Sequence, residues 1–142
     1  MLKKIKINME DKMKHMQEAI ETFKEKVFKD YERFQYGMWR KDIEKKPILK
    51  EHYNSIASDS IKDFKDKFTM VETKYYYKFL SDKAVHSFIV KEDTVIRNKE
   101  WKKGDLLKPA GFAQPALNKP RGNILGDYKV EWTGPLYLRG GY

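Results

Sequence analysis

Between Lys108 and Asn123 the chain contains no acidic side chain, yet it carries Lys108, Lys119 and Arg121, three prolines and two glycines. Ammonium and guanidinium groups with no carboxylate nearby in sequence are the donors that hold phosphate or carboxylate oxygens, and the arginine fork can do so with two parallel hydrogen bonds. Pro109, Pro115 and Pro120 stiffen the backbone, and Gly111 and Gly122 permit positive φ or close approach. The amides of Gly122 and Asn123 beside Arg121 are placed to add backbone donors to such an anion site. Over the wider stretch from Val95 to Gly122, Trp101 and Phe112 stand among Arg97, Lys99, Lys102, Lys103, Lys108, Lys119 and Arg121, with only Glu100 and Asp105 opposing. Rings interleaved with cations are the pattern by which single strands are held, bases on rings and phosphates on cations. The candidate ligand-binding set is therefore Lys108, Lys119, Arg121, Gly122, Asn123, Trp101 and Phe112. A solvated strand edge guarded by lysines, with both rings in the core and Arg121 paired internally, is the alternative that the same residues allow.

Catalysis has little support. There is no cysteine, so disulfides, thiolate zinc sites, iron–sulfur ligation and thiol nucleophiles are excluded. His15, His52 and His86 are scattered without metal-ligand spacing, and no nucleophile elbow, P-loop or dinucleotide fingerprint is present. Asp59, Asp63 and Asp66 share a helical spacing, but Lys62, Lys65 and Lys67 alternate with them, as on a solvated helix face. The expectation is a binding protein, not an enzyme, with no cofactor and no metal.

Thirty basic against twenty-one acidic side chains give a net charge of +9, which favours polyanionic partners or serves solubility alone. The excess is spread, +4 over residues 1–71 and +5 over the remainder. With 40% hydrophobic and 14% aromatic residues the chain can bury a core despite 36% charged residues. No apolar run approaches the roughly 20 residues that span a bilayer, and the first residues lack the apolar stretch of a signal peptide, so no membrane association and a cytoplasmic location are expected.

The elements that must position the cations divide by composition. Seven of eight glycines and four of five prolines lie from Gly104 onward, whereas residues 9–68 hold only Gly37 and Pro47. Met13, Met16, Ile20, Phe23 and Val27, continued by Tyr31 and Phe34, form a helical seam, with Asn8 as N-cap and Gly37 as terminator of a helix over 9–36. That helix exceeds what a small sheet needs as cover, so part of it is expected to meet another helix or another subunit. Pro47 opens a second helical segment to residue 68, with the stripe Leu49, Tyr53, Ala57, Ile61, Phe64 and Phe68; one helix or two, restarted at Ser58-Asp59-Ser60, both fit. Period-two alternation then predicts strands over 75–80 and 85–91 around an Asp82-Lys83 turn. Shorter strands are expected over 94–97 and 105–107, joined by a charged turn at 98–104, with last candidates over 128–132 and 136–138. The fold class is α+β: a long N-terminal helix and a second helical segment on a small antiparallel meander, then an irregular Pro/Gly-rich C-terminal region. A helical region, 1–71, and a β region, 72–142, are expected to form one cooperative domain with a helical arm.

The runs Ser87-Phe88-Ile89, Gly104-Asp105-Leu106-Leu107-Lys108-Pro109-Ala110, Pro115-Ala116, Arg121-Gly122-Asn123-Ile124 and Gly134-Pro135-Leu136-Tyr137-Leu138-Arg139 resemble a family of small bacteriophage proteins. Their pattern is Gly-Asp-(Ile/Val)-x-Lys-Ala-Ala-Ser-Trp, Pro-Ala, Arg-Gly-Asn-Ile and Tyr-Leu-Arg. The resemblance covers roughly residues 84–139, outside the long helix, and departs at Pro109, at Phe112 near the usual Trp, and in an insertion around 98–103. It implies a phage origin and no particular activity. The expectation is a phage-encoded accessory protein in the host cytoplasm or the virion that binds nucleic acid or a phosphorylated nucleotide without turnover. The alternative is a virion structural or host-factor interaction protein that assembles, as a homo-oligomer or on another protein, through the N-terminal helix.

Overall fold

The computed structural model describes the backbone of residues 2–136 and the side chains from His15 onward. Helix α1 (Leu2–Lys45) is followed by a 3-10 turn (Pro47–Leu49) and helix α2 (Lys50–Lys67). Eight strands complete the described chain: β1 (Phe68–Glu72), β2 (Tyr76–Ser81), β3 (Ala84–Val90), β4 (Thr94–Ile96), β5 (Lys99–Trp101), β6 (Leu106–Leu107), β7 (Val130–Glu131) and β8 (Gly134–Pro135). The α+β expectation holds. Strands β1-β2-β3-β6 form one antiparallel sheet in that order, while β4-β5 and β7-β8 are separate hairpins.

The seam of α1 is buried where it crosses the sheet. Met16, Ile20, Phe23 and Val27 join Phe64 of α2, Phe68 at the start of β1, and Phe79, Ile89, Leu106 and Ile124 in one core. Met13 lies outside the described side chains. Beyond Val27 the helix leaves the sheet and meets α2: Tyr31 stacks on Phe64 at 4.1 Å, and Trp39 on Tyr53 at 5.0 Å.

Both ends assigned to α1 from sequence are corrected. The backbone is already helical from Leu2, so Asn8 is no cap, and the helix runs through Gly37 to Lys45. Glycine in a helix costs only about 1 kcal/mol relative to alanine, and the contacts with α2 on both sides of Gly37 outweigh that. Proline is the real stop. Lys46 stands before Pro47 with φ −138° and ψ 77°, out of the helical region as a pre-proline residue must be. The second segment is one α-helix after a 3-10 turn, with no restart at Ser58, and Ala57, Ile61 and Phe64 of its stripe are buried.

Strand β1 follows α2 directly and pairs with β2 from Phe68↔Ser81 to Glu72↔Tyr77. Asp82, at φ 58°, and Lys83 make the expected tight turn into β3. Between Phe79↔Ser87 and Leu80↔Val85 the register skips His86, a β-bulge. The expected charged turn at 98–104 instead holds a strand at its centre: Arg97 and Asn98, both at positive φ, turn the hairpin, and β5 pairs with β4. That hairpin covers the second face of the sheet, where Phe88, Val90, Trp101 and Leu107 form a further core with Tyr76, Val85, Ile96 and Leu117 at its edge. At the C-terminal end β7-β8 docks on α1, with the Trp132 amide donating to Asp30 at 2.8 Å. Of the candidate strand over 136–138, Leu136 is not in a strand and residues 137 and 138 lie outside the described residues.

Candidate nucleic-acid interface

The two motif runs around Asp105 and Arg121 are one piece of structure. Arg121 N–H donates to Leu106 O at 2.7 Å, Leu106 N–H to Gly122 O at 2.9 Å, and Ile124 N–H to Gly104 O at 2.9 Å, which lays residues 121–124 along β6 as a further edge. Asn123 ties the pairing together. Its Nδ2 donates to Lys103 O at 2.8 Å and to Asp105 Oδ1 at 3.1 Å, and its Oδ1 accepts from Leu125 N–H at 2.8 Å. Gly122, at φ +120°, passes so close to the next segment that a Cβ would stand 2.5 Å from Tyr128 Cβ and 2.7 Å from Asp127 O.

Three of the expected ligand-binding residues therefore hold the fold. The Asn123 amide is committed to Asp127 O at 3.0 Å, and Gly122 answers a close backbone approach, so neither forms an open anion nest. Trp101 is 1% exposed in the second core and offers no face to a base. Its ring points into the core shared with Phe88, Val90 and Leu107, while Lys99, two residues back, stays exposed.

Arg121 is not the open fork expected from sequence. Its Nε donates to Lys119 O at 3.2 Å, one terminal nitrogen to Leu136 O at 3.2 Å and the other to Asn118 Oδ1 at 3.1 Å. Each nitrogen thus has one acceptor from the chain itself, and all three acceptors are neutral, so the guanidinium clasps the loop while its charge stays uncompensated. Asn118 collects one further cation, its carbonyl accepting from Lys99 Nζ, while its Oδ1 also accepts from the Lys119 backbone amide at 2.8 Å, a bond made by the main chain and not by the ammonium. Gln114 likewise receives Arg97 through Oε1 at 3.4 Å. Elsewhere lysines pair with carboxylates, as in Lys65–Glu32 and Lys91–Glu72, both at 3.1 Å. Among the described residues none of Arg97, Lys99, Lys119 or Arg121 has a carboxylate within ion-pair distance. Arg97 and Lys99 belong to the basic run of the sequence but not to the expected ligand-binding set. Nothing in the spacing marks Gln114 and Asn118 as the neutral acceptors that gather them.

Lys108 is half-buried. Burial, then the charge of Arg121, holds its ammonium pKa below the ordinary lysine value, against an opposing pull from Glu131. Lys119 and Phe112 are exposed, and Lys78 Nζ lies 3.7 Å from the centre of the Phe112 ring. Among the described residues no group of three or more histidine or acidic side chains is placed to hold a metal ion, and no helix is long and apolar enough to cross a membrane.

No protein-family model, curated protein or solved structure matches this chain, so its own geometry has to carry the functional argument.

Proposed function

We propose that this chain is a phage-encoded accessory protein that binds nucleic acid on the face built by the β4-β5 turn and the acid-free loop, and does so without turnover. The observation that carries the reading is that Arg97, Lys99 and Arg121 are collected on neutral oxygens of one loop beside exposed Lys119, and that among the described residues none of the four is ion-paired with a carboxylate. Four cations with no paired carboxylate repel one another; a polyanion relieves that repulsion, and the cations displace the counterions condensed on it. Arg121 contributes charge from a fixed position; Lys99 and Lys119 supply the donors that can turn outward. A small nucleotide would engage one or two of these groups, whereas a strand engages all four.

The test is equilibrium binding of a labelled 12-nucleotide single strand in low salt. The double variant Lys99→Ala/Lys119→Ala is expected to bind about tenfold more weakly, while Lys62→Ala, on the exposed face of α2, binds as the wild type does. Equal affinity of all three proteins contradicts the reading.

One observation favours a second reading, assembly through α1. Phe34 and Met38 lie one turn apart and are 42% and 45% exposed. Light scattering decides it: an oligomer dissociated by Phe34→Glu supports assembly, and a strict monomer removes it.

A further inference from the structure

Lys78 occupies an apolar place in the fold. It lies on β2 opposite Phe88, on the sheet face that the β4-β5 hairpin covers, and it is 9% exposed. Its ammonium has two ring neighbours, Phe112 at 3.7 Å and Phe88 at 5.9 Å, and among the described residues it has neither a hydrogen-bond acceptor nor a carboxylate. A cation so far withdrawn from water loses hydration that two rings replace only in part. Leucine or methionine would fill the position without that loss.

Phe112 is unusual in the opposite sense. It is 64% exposed at the tip of a turn whose base is fixed by the Pro109–Pro115 bridge and by Ala110 and Gly111 donating to Gln114 O at 2.9 and 3.1 Å. The ring is thus held out into solvent on a stiff arm, with the Lys78 ammonium over one face and the other face open. Val85, Pro109, Ala110, Gly111 and Phe112 line a shallow groove of about 300 Å3 beside it. The same loop continues into Asn118, Lys119 and Arg121.

We infer that Phe112 and Lys78 form a subsite for one unpaired nucleotide, the base stacked on the open face of the ring and a phosphate oxygen reaching the ammonium round the ring's edge. This rests on the nucleic-acid reading above and deepens it: the ligand is single-stranded, and one base is read by its π-face. An aromatic ring on a pre-stiffened loop loses little entropy when the base arrives, and the phosphate supplies the acceptor that the ammonium lacks.

The experiment compares a 12-nucleotide oligothymidine with an abasic deoxyribose-phosphate oligomer of the same length and charge. The wild type is expected to bind oligothymidine about tenfold more tightly, within the range that one base–aromatic stack confers. Phe112→Ala and Phe112→Leu should bring oligothymidine down to the abasic level and leave abasic binding unchanged. Lys78→Met, checked for folding by its melting curve, should weaken oligothymidine several-fold. Equal binding of the two oligomers by the wild type, or no effect of either Phe112 variant, overturns the subsite while the polyanion reading stands. Duplex bound as tightly as single strand also overturns it. If neither oligomer binds in low salt, the polyanion reading itself has failed.

Discussion

Replacing His86 with glutamine isolates a proton-linked contribution to stability whose size follows from the fold. His86 is the skipped residue of the β3 bulge, 2% exposed and packed edge-on against Phe23 and Phe68. Its Nε2 lies 2.9 Å from Glu131 O, and because a carbonyl only accepts, that nitrogen carries the proton; Nδ1 then accepts from the Ser87 hydroxyl at 2.9 Å. The neutral ring thereby fastens the β7-β8 hairpin to the sheet. Burial lowers its pKa from 6.5 to about 4; the hydrogen bond to Glu131 opposes the shift, and Lys108 adds to it. A histidine whose pKa is lower folded than unfolded is protonated first in the unfolded chain. The associated stability is complete above pH 6.5 and is lost as pH falls from 6.5 towards 4. At about 1.4 kcal/mol per tenfold difference in proton affinity, the loss amounts to about 3 kcal/mol. Glutamine keeps a donor for Glu131 O and cannot titrate. Urea unfolding at pH 7 and pH 4 should therefore show the wild type losing about 3 kcal/mol more than His86→Gln. An NMR titration of the wild type should place one ring near pH 4, assigned by its absence in the variant. Equal acid losses in both proteins, or a His86 ring titrating near 6.5, would refute the reasoning.

Three other outcomes follow from the backbone and the loop. Gly37→Ala should raise stability by about 1 kcal/mol in urea unfolding, because the helix runs through it and nothing lies within 4 Å of the added Cβ; destabilisation would mean the helix ends there. Gly122→Ala should cost at least about 3 kcal/mol or prevent folding, since a residue at φ +120° gains a methyl 2.5–2.8 Å from Tyr128 and Asp127, two of those contacts being backbone. Arg121→Ala should lower stability by about 1–3 kcal/mol, as Lys119 O and Leu136 O lose this donor and Asn118 Oδ1 keeps only the Lys119 amide, whereas exposed Lys119→Ala should leave melting within about 0.5 kcal/mol of wild type.

How legible each part was depended on the distance over which its cause acts. The seam of α1 and the stripe of α2 could be read because a buried face repeats within a few turns, and the Asp82-Lys83 turn because it is local. Strand β1 was missed because only Phe68 of its five residues is buried, so an edge strand leaves no alternation to find. Gly37 looked like a terminator because its signal is local, while the α2 contacts that carry the helix past it come from later in the chain. Trp101 looked available for stacking because its sequence neighbours are charged; its burial depends on the hairpin folding over the sheet. The acid-free loop stands out by its composition, but the roles inside it do not. Arg121, Gly122 and Asn123 answer to Leu136, Tyr128, Lys103 and Asp105, partners that spacing does not reveal. Lys78 lies within the strand expected over 75–80, yet without the covering hairpin nothing marks it as a withdrawn cation.

The central claim is that Arg97, Lys99 and Arg121, held on neutral loop oxygens, together with exposed Lys119 beside them bind the phosphates of a strand, and the salt dependence of oligothymidine affinity tests it most directly. For a single strand each phosphate contact contributes about −0.7 to the slope of log affinity against log salt, so four contacts predict about −3, and Lys119→Ala should flatten it by about 0.7. A slope near zero, or one that the loss of Lys119 leaves unchanged, would contradict the account.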